Sequence, residues 1–387
     1  MVLTLTIVVA ALWLAYGNGA NDNFKGVATL YGSDTTTFKG ALWWATATTF
    51  AGSVVSVAIA RNLVTTFSGK GLVPDSLAAS PAFAMAVGLG AAFTIFAATY
   101  IGMPTSTTHA LIGALLGTGL AASASINGGV LLTQFAVPML SSPLLAIALS
   151  ALLYSILRAG RKRAGIQKET CLRITDKAEQ PVAVGASLAG RNQAQAIASY
   201  APTPMPDMGA DIDEKRLGKK RYKERYKGRI IGIEAQKTLD VMHYLSAGAV
   251  CFSRAVNDTP KVAALLLMTS ILSPALSVGL IGLIMSVGGL IQSRQVAETM
   301  SKRITTLSPG QGFTANITTA GLVLFASNLG VPVSTTHVSC GSIFGIGAVN
   351  RTGRWTTIAR ILLTWVTTLP AAAIISGLLY YSLLSIR

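Results

Sequence analysis

One stretch of this chain constrains its fold more than any other: Gly102-Met103-Pro104-Thr105-Ser106-Thr107-Thr108-His109, with the apolar run that follows it to Gly117. It returns as Gly330-Val331-Pro332-Val333-Ser334-Thr335-Thr336-His337, running on to Gly345. Within these windows the Gly and Pro, the Ser-Thr-Thr-His and the glycines at 113/341 and 117/345 are identical. Two of the chain's three histidines lie in the motif. A repeat of this kind in apolar sequence predicts two copies of one device facing each other, the habit of membrane transporters built from duplicated halves.

Composition supports a membrane setting. The 387 residues are 51% hydrophobic and 12% charged, against about 25% charged in a soluble domain. Apolar runs at 1–16, 40–60, 82–101, 128–157, 262–291 and 355–386 approach the roughly 20 residues that cross a bilayer. They are continuous, whereas a transmembrane barrel would show short alternating strands. The expected class is an all-α polytopic membrane protein with about 10–12 transmembrane or re-entrant helices. These would form two inverted-topology repeats with broken helices.

The net charge of +16 does not point to nucleic acid, because 18 of the 31 Lys+Arg lie between Arg158 and Lys237, with 9 of the 15 Asp+Glu. A basic surplus beside the spans reads as a cytoplasmic loop attracted to anionic lipid, and no basic motif with interleaved aromatics for stacking bases occurs elsewhere. The expected organisation is an N-terminal membrane repeat, 1–157, a basic loop, 158–237, and a C-terminal membrane repeat, 238–387. Within the loop, 178–214 is rich in Ala, Gly and Pro and reads as disordered. The basic run 215–229 reads as a surface helix on lipid or a solvated charge run. Cys171, Cys251 and Cys340 have neither disulfide-framework nor zinc spacing. With no basic residue before Lys25, no signal peptide is expected.

A second motif precedes each copy of the first. The opening apolar run meets Gly17-Asn18-Gly19-Ala20-Asn21-Asp22-Asn23-Phe24-Lys25-Gly26, which predicts an unwound break and a second half-helix from about Val27. Arg254-Ala255-Val256-Asn257-Asp258-Thr259-Pro260-Lys261 predicts a matching interruption in the second half. Each half thus runs Asn-Asp-x-x-Lys, spans, then Gly-x-Pro-x-Ser-Thr-Thr-His. Pro138 and Pro143 are expected to bend or split the run 128–157, and Pro274 punctuates 262–291.

The chemistry follows from the residue types. Pro suits the first turn of a helix; Ser106, Thr107 and Thr108, with Ser334, Thr335 and Thr336, then fall where free N–H groups and the positive end of the dipole point outward. That is an anion cradle, and phosphate suits it. The competing reading is helix back-bonding and helix packing. His109 and His337 brace their own helices or carry protons. Asp22 and Asp258 are carboxylates in membrane sequence, which are costly and usually functional. Beside Asn21 and Asn257 and unwound carbonyls, each makes a hard-oxygen site for Na⁺ or carries a proton. Lys25 and Lys261 pair with these carboxylates, contact the anion or replace a cation. Arg254 is either another anion contact or a surface residue.

At Gly19-Ala20-Asn21-Asp22, Val256-Asn257-Asp258 and the two Pro-x-Ser-Thr-Thr-His elements, the chain resembles the PiT family of inorganic phosphate transporters (phosphate permeases) over essentially its whole length. The resemblance implies symport of phosphate with Na⁺, or H⁺ in some members. It also implies the two Asp residues near cation and phosphate and the Ser-Thr elements around the anion. One departure stands out: the family generally has Asn-Asp-x-x-Asn, and here the last position is Lys25 and Lys261. An ammonium there disfavours a nearby Na⁺, so the lysines stand in for a coupling cation or bind the anion.

The expectation is a secondary active transporter, not an enzyme, in the plasma membrane. It would import phosphate by alternating access with Na⁺ or H⁺ and have no cofactor. Its partners are phosphate, the co-transported cation and the bilayer; no nucleic acid is expected, and the sequence leaves a homodimer open. A close alternative is the same machine carrying sulfate or another tetrahedral oxyanion, although phosphate can donate a hydrogen bond to a carboxylate where sulfate cannot. A distant one is an intramembrane aspartyl protease. Against it, each Asp has a Lys three residues on, and no Gly-x-Gly-Asp element precedes either.

Overall fold

The computed structural model describes residues 2–175, 178–181, 221–230, 232–269, 271–305 and 307–385. It divides into two units, one of residues 1–156 with 240–387 and one of 157–239.

The larger unit is helical. Its principal helices, in order, are α1 Val2–Asp22, α2 Ala28–Gly32, α3 Phe38–Ile59, α4 Pro81–Tyr100, α5 Thr107–Ala121, α6 Gly128–Arg163, α7 Ala235–Leu267, α8 Pro274–Gln292, α9 Pro309–Asn328, α10 Thr335–Asn350 and α11 Trp355–Ser385. Among the described residues six helices, or helix-containing segments, are long and apolar enough to cross a membrane: Leu3–Lys25, α3, α4, α6, α8 and α11. They carry exposed Trp43, Leu140, Leu144 and Val366, as expected of surfaces that meet hydrocarbon rather than water. At 15 and 16 residues, α5 and α10 reach only about 23 Å at 1.5 Å per residue, short of the hydrocarbon core.

Glycines set how the two short helices pack. A Cβ on Gly113 or Gly117 of α5 would strike the backbone of Leu369 or Ala373 in α11. The matching glycines of α10, Gly341 and Gly345, lie against Pro143 and Ile147 of α6. Each short helix thus packs on the long helix that closes the other half, and small residues allow this approach without any hydrophobic drive between helices.

The first break forms as expected. Helix α1 stops at Asp22, Asn23–Lys25 makes one tight turn, and α2 resumes at Ala28. Gly26 there has no room for a Cβ against Cys251. The second break is absent, and this corrects the sequence expectation: α7 runs unbroken from Ala235 to Leu267 through Asn257-Asp258 and Pro260. Its polar side chains find lateral partners instead. Asn257 Nδ2 donates to Val333 O at 3.1 Å and Thr259 Oγ1 to Ser53 Oγ at 2.9 Å, so exposing backbone is unnecessary.

The expected split of 128–157 is also absent. Helix α6 is continuous to Arg163, with a wide π-turn at Leu131–Ala136 just before Pro138. A π-turn re-pairs carbonyls whose usual donor a proline lacks.

In the smaller unit, β1 Gln167–Thr175, β2 Ala178–Pro181 and β3 Arg221–Lys227 form an antiparallel sheet in the order β2-β1-β3. β4 Arg229–Ile230 pairs with β5 Ile233–Glu234. The basic run 215–229 is therefore strand, not helix, from 221 onward; strict alternation of Arg or Lys with Tyr or Glu over 221–227 has the period of a strand. Of the stretch read as disordered, 178–181 is strand and 182–214 lies outside the described residues.

Candidate functional site

Each Ser-Thr-Thr-His element starts a helix. Ser106 caps α5 and Ser334 caps α10, each side-chain oxygen accepting from the N–H three residues on, His109 or His337, at 3.2 Å. The turns before them pass through Gly102 at φ +70° and Gly330 at φ +71°, the left-handed region that glycine enters without strain.

The Asn-Asp motifs hold these helix starts in place. Asn21 Nδ2 donates to Thr99 Oγ1 at 2.9 Å and to Met103 O at 3.0 Å, and its Oδ1 accepts from Thr105 N at 3.0 Å. In the matching place Asn257 Nδ2 donates to Val333 O, and its Oδ1 accepts from Ser327 Oγ at 3.2 Å. Thr107 Oγ1 donates to Asp22 Oδ2 at 3.3 Å, and Thr335 Oγ1 to Asp258 Oδ2 at 3.4 Å.

The two halves meet at this point. Thr108 Oγ1 donates to Val333 O at 3.2 Å and Thr336 Oγ1 to Thr105 O at 2.6 Å, so each helix start is bonded to the loop that leads into the other. The amide of Asn18 reaches Asp22 Oδ2 at 3.1 Å, Thr107 Oγ1 at 2.7 Å and Asp258 Oδ2 at 3.3 Å, which brings both carboxylates to one group. The rings of His109 and His337 lie 4.4 Å apart, and His337 stacks on Trp365 at 3.7 Å.

Charge is concentrated here. Among the described residues the buried charged side chains are Asp22, Lys25, Arg254, Asp258 and Lys261. Lys25 is ion-paired with Asp22, and Lys261 Nζ lies 3.3 Å from Asp258 Oδ1. Arg254 donates to Asn18 Oδ1 and Thr49 Oγ1, both at 3.0 Å, and stands 4.0 Å from Asp258 Oδ2. Three cations against two carboxylates leave one positive charge in excess, beside two helix N-termini whose dipoles add to it. A small cavity of about 10 Å³ adjoins the cluster, lined by Lys25, Arg254, Thr319, Thr335 and Ser339 among others. That is about the size of one water. The Nε of Arg254 has no hydrogen-bond partner among the described residues.

All the residues singled out in the sequence converge, and Arg254 is buried rather than at the surface. Asn18 and Thr49 were not anticipated as members of the cluster. Asn18 was findable: it stands four residues before Asp22, on the same helix face. It is also the positional counterpart of Arg254, which stands four before Asp258.

A family profile described as "Phosphate transporter family" matches residues 18–376. The chain belongs to this family. Its members are transporters, and this chain is an integral membrane transporter rather than an enzyme. It is 26% identical over 99% of its length to a "Probable low-affinity inorganic phosphate transporter" of Bacillus subtilis (strain 168), covering 98% of that protein. It is 27% identical over 98% of its length to one of the same description from Rhizobium meliloti (strain 1021), covering 96% of it. A solved structure titled "The sodium-dependent phosphate transporter" superposes with a TM-score of 0.76 at 21% identity, each chain covered completely. At that identity the likeness establishes the fold.

Proposed function

We propose that this chain imports inorganic phosphate across the plasma membrane by alternating access, with the anion held between the starts of α5 and α10. The observation that carries this reading is the meeting of two capped helix N-termini around a buried cluster of net positive charge. Backbone N–H groups and hydroxyls at a helix start suit an oxyanion. Ser106, Thr107, Thr108, Ser334, Thr335 and Thr336 supply two such sets. The threonine hydroxyls here donate to the carboxylate of their own half (Thr107, Thr335) and to a loop carbonyl across the seam (Thr108, Thr336). An arriving anion takes over these donors, and the seam loosens as it does so. Coupling that loosening to one side or the other gives alternating access between inverted halves, with the short helices α5 and α10 moving against the long ones. The basic segment 158–237 is then cytoplasmic.

Asp22 and Asp258, with Asn21 and Asn257, are the positions through which a co-transported cation, Na⁺ or H⁺, would act. Each carboxylate lies within one hydrogen bond of the hydroxyls assigned to the anion, so cation and anion occupancy are linked through shared groups. The relatives' printed descriptions name phosphate, and the structural neighbour's title adds sodium dependence.

The test is radiolabelled phosphate uptake into proteoliposomes containing the purified full chain, with sulfate as competitor. Saturable phosphate uptake that excess sulfate does not suppress is expected. Sulfate uptake without phosphate uptake would retain the anion cradle and overturn the substrate.

A further inference from the structure

Lys25 and Lys261 occupy matching positions, and their surroundings match oxygen for oxygen. Lys25 Nζ donates to Asp22 Oδ1, to Thr105 O at 2.7 Å and to Thr336 Oγ1 at 2.6 Å. Lys261 Nζ donates to Asp258 Oδ1 at 3.3 Å, to Val333 O at 2.9 Å and to Thr108 Oγ1 at 2.8 Å. In each set the carboxylate and the loop carbonyl come from the lysine's own half, and the hydroxyl comes from the other. An ammonium has three hydrogens, and each finds three oxygens. Both lysines are sealed in, 3% and 0% exposed.

A carboxylate, a carbonyl from non-helical backbone and a hydroxyl also make up the hard-oxygen set by which transporters with broken helices hold Na⁺. Here each set is already closed around a nitrogen. The second oxygens of the carboxylates are engaged too: Asp22 Oδ2 accepts from Asn18 and Thr107, and Asp258 Oδ2 from Asn18 and Thr335. A metal ion entering either place would have to displace an ammonium at hydrogen-bond distance, in a buried setting where like charges repel strongly.

We propose that the ammonium groups of Lys25 and Lys261 are resident cations that fill the two positions at which a Na⁺ would be held, so that this chain moves its anion without Na⁺. The inference rests on the phosphate reading above and narrows its coupling. A tethered cation supplies the positive charge the anion meets but is not released to the far side. The Na⁺ gradient therefore has no ion through which to drive the cycle. What remains as drive is the gradient of the anion itself and of protons.

Two measurements on the purified full chain test this. The first is binding of radioactive Na⁺ by scintillation proximity, with and without inorganic phosphate, for the wild type and for the double variant Lys25→Asn/Lys261→Asn. No saturable Na⁺ binding is expected of the wild type, and saturable binding is expected of the variant, whose amide oxygens restore a neutral oxygen site. The second is phosphate uptake into proteoliposomes with and without an inward Na⁺ gradient. The wild type should be indifferent to Na⁺ and the variant stimulated about tenfold, within the usual range for one bound ligand's effect on another. Saturable Na⁺ binding or Na⁺-driven uptake by the wild type would overturn the proposal, as would a folded variant that binds no Na⁺. If the variant does not fold, wild-type Na⁺ binding decides alone. Na⁺ binding also separates the two readings: if phosphate is not carried, the substrate assignment fails while the absence or presence of a Na⁺ site is still read directly.

Discussion

Asn21 and Asn257 stand at equivalent positions, yet their removal should not cost the same. Asn21 Oδ1 is the acceptor for the N–H of Thr105, so Asn21→Ala leaves a buried backbone donor unpaired, at a cost of about 1–3 kcal/mol. Asn257 Oδ1 accepts from Ser327 Oγ, and that hydroxyl also donates to Val323 O. Val333 O, the acceptor for the Asn257 amide, keeps Lys261 and Thr108. Asn257→Ala therefore leaves its partners satisfied. Thermal unfolding in detergent should show Asn21→Ala as clearly the less stable, and its phosphate uptake should fall further. Equal losses would mean that the two loops are held by something other than these amides. The asymmetry lies in partners far along the chain, so it could not be read from motifs that look alike.

At the scale of the element, the turns entering α5 and α10 carry the next expectation. Gly102 and Gly330 share a left-handed φ, and replacing either by Ala strains the backbone by roughly 1 kcal/mol. Their surroundings differ. An added Cβ at Gly102 meets Gln295 Cβ at 3.2 Å, whereas at Gly330 it meets Asn62 Cβ at 2.7 Å. Gly330→Ala should lower the unfolding temperature more than Gly102→Ala, and reversal of that order would show the Asn62 segment to be yielding. Helix starts of this kind were legible in the sequence because Ser and Thr act locally, although Pro104 and Pro332 stand two residues before the caps Ser106 and Ser334 and not in the first turn. The break after Asp22 was legible for the same reason, being written in Gly and Asn. The continuity of α7 was not. It carries the same Asn-Asp and a proline, but Asn257 and Thr259 are satisfied by Val333 and Ser53, contacts that only the folded chain supplies. The strand at 221–227 is written in a two-residue alternation that its strongly basic composition masks.

At the scale of the molecule, duplication is what lets so short a motif build a site. In the proposed reading one Ser-Thr-Thr helix start is half a cradle for the anion and the second copy is the other half; the loop of each copy accepts a hydroxyl from its opposite. The seam between them must open if the anion is to pass. His109 and His337 sit on it with their rings in contact, and both are buried. Placing cysteines at both positions, in a chain whose Cys171, Cys251 and Cys340 are replaced, gives a direct trial of that motion. A short bis-methanethiosulfonate reagent should join the pair, reaching it only when the seam opens, and phosphate uptake should then stop. A reducing agent should restore it, while each single-cysteine chain treated in the same way keeps transporting. Uptake that continues after complete cross-linking would mean that the anion crosses without parting α5 from α10. The moving boundary would then have to be sought on their outer faces, where Gly113 and Gly117 meet α11 and Gly341 and Gly345 meet α6.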